Sequence, residues 1–237
     1  ALWGREQVSA ATAFVAVSNI ERDQFLDLGI APERIRVIPN GVTMETFVDN
    51  RRFKTEFGIK GDYILYLGKI TPRKGIEHAI AALPLLADKS IVLVVAGNDM
   101  GHARTLTREA ARLGVLGRVI FTGLVTGVMK TLAYREALFT VYAGRDEIFG
   151  LVPWESILCG TPVIVADDSG CGEWVKEGQA GHVVPYGDPG AIARVINTRD
   201  RERDQAMVQR GIAFCRERLD WGRIAEDMVK YYREIKG

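Results

Sequence analysis

Histidine and cysteine are scarce in this chain of 237 residues, with three of each. The cysteines, Cys159, Cys171 and Cys215, are odd in number and lack a zinc or redox spacing. They read as reduced thiols in a cytoplasmic protein and exclude a disulfide framework. His78, His102 and His182 lie far apart and form no HExxH pair, so surface or capping roles outrank metal ligation. Charge of one sign is also missing. The net charge is +1 with 26% charged residues, which gives non-specific nucleic-acid binding no electrostatic support. No apolar run reaches membrane-spanning length. Arg5 and Glu6 interrupt any signal-like core near the start, and the first residue is not methionine, so the chain reads as trimmed. Walker phosphate loops, GxSxG elbows and Asp-x-Asp motifs do not occur.

What is present is 47% hydrophobic residues, ample material for a core, arranged from Gly61 onward as short apolar runs alternating with helical patterns. The runs are 63–67, 91–96, 119–122, 139–142, 162–166 and 182–185. Helices are expected at 101–113, 201–218 and 221–235, among others. This alternation predicts an α/β fold with a Rossmann-like, doubly wound parallel sheet. In the usual strand order the first and fourth strands of such a sheet are neighbours, and ligands bind in the crevice at their carboxyl ends.

Two loops converge on that crevice. The fourth strand runs into EIFGLVPWESILCGTPVIV, where Glu147 and Glu155 flank the turn Phe149-Gly150-Leu151 with seven residues between them. Gly150 permits close backbone approach, and the first amides of the following helix are unpaired donors suited to phosphate or hydroxyl oxygens. Two carboxylates beside them suit a polyhydroxylated molecule with an anionic part, which describes a nucleotide sugar. The first strand runs into GKITPRKG, where Lys69 and Lys74 flank a turn marked by Pro72. Singly, each of these charges reads most simply as a solvated surface group. Together, at a switch point, they read as a site.

Other signals weigh less. Gly170-Cys171-Gly172 resembles the start of a dinucleotide fingerprint, but Val175 stands where its third glycine belongs, so turn chemistry is the better account. Asp167-Asp168 reads as loop capping. Tyr231 and Tyr232, beside Lys230 and Arg233, offer a peripheral membrane contact, against which packing of a terminal helix is preferred.

Taken in order, FVAVSNIERDQF, IRVIPNGV, YLGKITPRKG, VVAGND, RVIFTGLV, the glutamate pair, PVIVADDSGCGEWV, AGHVVPYGD and the helix around Trp221 resemble the carboxyl-terminal half of a GT-B-fold, retaining glycosyltransferase of family 4, the glycosyl transferases group 1. The resemblance covers nearly the whole chain. It implies that residues 1–41 are a remnant of an amino-terminal acceptor domain and linker. Residues 42–237 would be the donor domain. It further implies that Lys69 and Lys74 neutralise the donor diphosphate, although the family usually carries arginine where Lys69 stands, which weakens bidentate contact there. Glu147 would hold the transferred sugar, the amides of Phe149, Gly150 and Leu151 would approach sugar and phosphate, Glu155 would grip the ribose, and Gly123, Leu124 and Val125 would line the base pocket. Glu147 and Lys74 are the catalytic candidates, without metal, cofactor or protein nucleophile. The acceptor, a sugar, lipid or glycan, would depend on the missing domain, and this chain alone would be inactive. Two rival readings are a non-catalytic nucleotide-sugar-binding module or regulatory subunit, and a GT-B-fold nucleotide-sugar epimerase.

Overall fold

The run Tyr63–Leu67 is buried along its whole length, as a strand covered on both faces must be. In the computed structural model, which describes residues 8, 10–45 and 52–236, this strand lies near the middle of a six-stranded sheet. Its chain order begins after a smaller unit, β1 (Phe14–Ala16), α1 (Asn19–Asp27), β2 (Ile35–Val37), and a one-turn α2 (Phe53–Glu56). Then follow β3 (Tyr63–Leu67), α3 (Ile76–Ala82), β4 (Val92–Ala96), α4 (Ala103–Arg112), β5 (Val119–Gly123) and α5 (Gly127–Arg135). The second half has β6 (Phe139–Tyr142), α6 (Leu151–Leu158), β7 (Val163–Ala166), α7 (Gly170–Glu177), β8 (His182–Val184), α8 (Pro189–Asn197), α9 (Arg201–Arg218) and α10 (Trp221–Lys236).

The sheet order is β5-β4-β3-β6-β7-β8, and every pairing is parallel. Counted within the sheet this is the doubly wound order 3-2-1-4-5-6, with its reversal between β3 and β6. Side chains alternate across it. Ile64, Tyr66, Leu93 and Val95 join the larger core cluster, whereas Tyr63, Leu65, Leu67, Val94 and Ala96 join a second cluster on the other face. The expected strand and helix limits agree with the observed ones to within about two residues.

The smaller unit is a parallel pair, β1 with β2, and α10 covers it. Ile38, Ile224 and Tyr231 form a buried cluster there, and the Tyr231 hydroxyl donates to the Arg34 carbonyl at 3.0 Å. Tyr231 therefore serves packing, while Tyr232 is exposed. Gly41 lies against the indole of Trp221, where a Cβ would come within 2.3 Å of the ring. α1 is tied to α7: Glu173 accepts from the Asn19 and Ile20 amides, and the Trp174 indole donates to the Val17 carbonyl at 2.8 Å. The described segment 10–38 is thus anchored at both α7 and α10.

All three cysteines are buried free thiols. His182 is not a surface residue: it pairs at 2.9 Å with the buried carboxylate of Asp204, which its place in an apolar run concealed. Gly170-Cys171-Gly172 forms the first turn of α7 behind the Ser169 cap, not a free turn. The reason is contact, since a Cβ at Gly170 would lie 2.0 Å from the Ile148 carbonyl oxygen.

Candidate active site

Leaving β3, the chain passes through Gly68 and Lys69 into a 3-10 turn, Pro72–Lys74, and reaches α3 through Gly75 in the left-handed region. Leaving β6, it passes through Ala143 and Gly144 to Glu147 and α6. The two loops touch through their backbones. The Arg145 amide donates to the Arg73 carbonyl at 3.2 Å, and a Cβ on Gly75 would lie 2.1 Å from the Ala143 oxygen. Glycine is required at 75 by both its φ of 65° and this approach.

That closeness brings Lys74 onto Glu147. Its Nζ lies 2.6 Å from Glu147 Oε2 and 3.3 Å from the hydroxyl of Tyr142, the last residue of β6. The Tyr142 hydroxyl donates to the same carboxylate oxygen. Burial, and then the Glu147 charge, push the Tyr142 phenol far above its ordinary value, so it remains a proton donor. The backbone of Glu147 is held from α7, whose Gly170 amide donates to its carbonyl at 2.7 Å. Asp146, just before it, adopts φ 56°, uncommon outside glycine, and pairs with Arg73 at 3.2 Å.

Glu155 repeats the pattern one helical stretch later. Its Oε1 is 2.7 Å from Lys130 Nζ, and its Oε2 accepts from the Tyr134 hydroxyl at 2.9 Å, both partners coming from α5. Burial and Glu155 likewise raise the Tyr134 phenol well above the usual tyrosine range.

Between the carboxylates, Gly150 has φ 72° and immediately precedes α6, whose start carries no side-chain cap. α1, α7, α8 and α9 each have one, from Ser18, Ser169, Asp188 and Asp200. The first amides of α6 are therefore left to solvent or a ligand, save at Pro153, which has none. Phe149 is buried and anchors the turn, whereas Leu151 is exposed.

Lys69 is exposed and has no side-chain ion pair among the described residues; its carbonyl accepts from the Tyr66 hydroxyl at 2.7 Å. Gly123 ends β5 and Leu124 and Val125 follow it, two strands away from β3 at the same carboxyl-terminal edge. Leu124 is exposed there, while Val125 is buried in the second core cluster. A cavity of about 450 Å³ lined by Pro162, Arg199 and Arg201 lies at the opposite edge, where the strands begin. Parallel sheets bind ligands at the other end.

The pattern of strands and loops has recognisable relatives. The glycosyl transferases group 1 profile matches residues 47–213, well over half of the sequence. The chain belongs to the glycosyl transferases group 1 family. The Glycosyltransferase Family 4 profile matches residues 1–46. Among curated relatives of this group 1 chain, the D-inositol 3-phosphate glycosyltransferase of Acidothermus cellulolyticus is 34% identical over 246 residues, covering 96% of this chain and 54% of the relative. A glycosyltransferase of Methanocaldococcus jannaschii with no described activity is 30% identical over 234 residues, covering 92% of this chain and 59% of its own length. The chain thus spans little more than half of the curated relatives it matches. The crystal structure of Anabaena HepE in complex with UDP and glucose superposes with a TM-score of 0.84 at 22% identity, over 94% of this chain and 64% of HepE. WaaG, a glycosyltransferase of lipopolysaccharide biosynthesis, superposes with a TM-score of 0.74 at 21% identity, over 86% of this chain and 58% of WaaG. The group 1 chain accordingly has the Rossmann-like half of a GT-B fold.

Four contributors were not foreseen: Tyr142, Tyr134, Lys130 and Gly170. Each looks ordinary in one dimension. Tyr142 ends an apolar run of the sequence, and Tyr134 and Lys130 belong to no motif in it. Among the described residues no helix is long and apolar enough to cross a membrane.

Proposed function

We propose that this chain is the donor-binding part of a retaining glycosyltransferase that takes a nucleotide-diphosphate sugar. The supporting observation is the pair of carboxylates, each held by one lysine and one tyrosine, on either side of an uncapped helix start at the switch point of the sheet. Glu155 takes the ribose hydroxyls and Glu147 those of the transferred sugar. The amides of Phe149, Gly150 and Leu151 approach sugar and phosphate, and Gly123, Leu124 and Val125 border the base. Lys69 and Lys74 meet the diphosphate.

Charge explains why these groups suit the reaction. Breaking a sugar–diphosphate bond releases a group of about three negative charges, and preorganised positive ends stabilise it as it forms. Two lysines and a helix end worth roughly half a charge come close to matching it without a metal. Retention follows from attack on the face the phosphate leaves, with Glu147 and Lys74 positioning rather than bonding covalently. Residues 1–41 serve as part of the acceptor-side domain and linker, and 42–237 as the donor domain. Transfer to a sugar, lipid or glycan needs the acceptor side of the cleft as well, since closure of two domains aligns reactants and excludes water.

A calorimetric titration with UDP, GDP and ADP, and with their glucose derivatives, tests the reading. One base should bind, and chelator should leave its affinity unchanged. Failure of all six to bind overturns it.

A further inference from the structure

We propose that Tyr142 is a positioning residue for Glu147: its phenol keeps the carboxylate in place when Lys74, the partner of Glu147 in the free protein, turns to the phosphates of a donor. The proposal rests on the nucleotide-sugar reading above and adds to it a division of labour between the two partners of one oxygen.

Glu147 Oε2 accepts from both Lys74 Nζ and the Tyr142 hydroxyl, while Oε1 accepts no hydrogen bond among the described residues. A lysine ammonium is one point charge on a flexible stem, and a diphosphate offers it more negative charge than one carboxylate does. Lys74 cannot neutralise both in full. Once it swings away, a carboxylate whose side chain is only 21% exposed would be left without its counter-ion and free to change rotamer.

The phenol cannot follow the lysine. Its ring is buried, lies parallel to Tyr66 with centroids 6.5 Å apart, and is backed by Gly150, where a Cβ would sit 3.1 Å from ring carbon Cε1. β3 and the turn before α6 thus hold the ring, and Gly150 leaves just enough room for it. The phenol also stays protonated, because burial and the neighbouring carboxylate both disfavour the phenolate. It is therefore a fixed donor beside a movable one. It orients Oε2, and Oε1 remains free to accept a sugar hydroxyl. At Glu155 no such contest arises, because Lys130 and Tyr134 occupy different oxygens.

Tyr142→Phe keeps the ring and its stacking and removes only the hydroxyl. Calorimetry on the intact chain should compare the nucleoside diphosphate that binds the wild type with its glucose derivative, alone and in Glu147→Gln. Tyr142→Phe should leave the diphosphate affinity within about twofold and reduce the additional affinity given by the sugar about tenfold or more, the worth of a hydrogen bond to a charged group. In the Glu147→Gln background the same change should have almost no further effect. An unchanged sugar advantage, or equal loss for both ligands, would overturn the role of Tyr142 while leaving the donor reading intact. A wild type that binds neither ligand would overturn the donor reading and this role with it.

Discussion

Glu147 and Glu155 have the same two kinds of partner, a lysine and a tyrosine, but they use them differently. At Glu155 the lysine takes one oxygen and the tyrosine the other, so the carboxylate is bridged between two donors from a single helix, α5. At Glu147 both donors converge on one oxygen, and they come from different elements, Lys74 from the turn after β3 and Tyr142 from the end of β6. Bridging fixes a group that has one task in every ligand state. Convergence leaves one oxygen open and makes one partner dispensable. The supports differ likewise: Glu155 rides on α6, whereas Glu147 hangs in a loop pinned by the Gly170 amide and preceded by the left-handed Asp146.

The largest effect should appear at high pH, where the two tyrosines act alike. Both phenols have folded-state values raised above the ordinary tyrosine value by burial and by their glutamates. The unfolded chain ionises them near pH 10 while the folded chain keeps its protons, so their stabilising contribution is complete below about pH 10 and is lost as pH rises further. Each should contribute a fall of about 1.4 kcal/mol per pH unit. Denaturant titrations between pH 9 and about 11.5, compared with Tyr142→Phe and Tyr134→Phe, check it. If neither variant shows a shallower decline, the phenols are ionising in the folded state.

At neutral pH the carboxylates should separate. Glu155→Ala should weaken a nucleoside diphosphate and its sugar derivative alike by about 1.5 to 3 kcal/mol, whereas Glu147→Ala should lose that amount mainly for the sugar-bearing ligand. Identical profiles for the two variants would erase the distinction drawn here. Lys74→Ala should cost the diphosphate itself a similar amount, about 1.5 to 3 kcal/mol.

Gly170→Ala aims at the backbone of one carboxylate only. The added methyl meets the Ile148 carbonyl and the Ser18 hydroxyl, and such overpacking costs about 1 to 3 kcal/mol of stability. In the folded fraction the sugar-dependent part of binding should drop and the diphosphate part should persist. Parallel thermal melts and titrations measure both.

The smallest change belongs to Lys69→Ala. Its ammonium is exposed and has no ion pair among the described residues, so the loss in diphosphate affinity should stay near about 0.2 to 1 kcal/mol. An effect equal to that of Lys74→Ala would mean that a ligand buries Lys69 far more than the free chain does.

The fold was largely legible because its signals are local and periodic. Val92–Ala96 and Phe139–Tyr142 are short apolar runs between amphipathic helices, and such runs have few uses other than buried parallel strands. The glutamates were legible too, since a glycine turn between two acids at a strand end is uncommon. Lys130 and Tyr134 were not, because they meet Glu155 across 25 and 21 residues from another helix, and no short-range pattern marks that distance. Gly170 was read as turn chemistry, although what selects glycine there is the carbonyl of Ile148 from a different loop.

By itself, then, the sequence determined the alternation of strands and helices, the doubly wound order that alternation favours, and the presence of acids, lysines and an unprotected helix start at one edge. These follow from side-chain periodicity and backbone valence, which act over a few residues. Tertiary structure alone decided which lysine faces which glutamate, that one carboxylate is bridged while the other shares a single oxygen, and that Tyr142 lies between Tyr66 and Gly150 with its hydroxyl on Glu147. Those outcomes depend on ångström-scale approaches between β3, β6 and α7, set by close packing of residues distant along the chain.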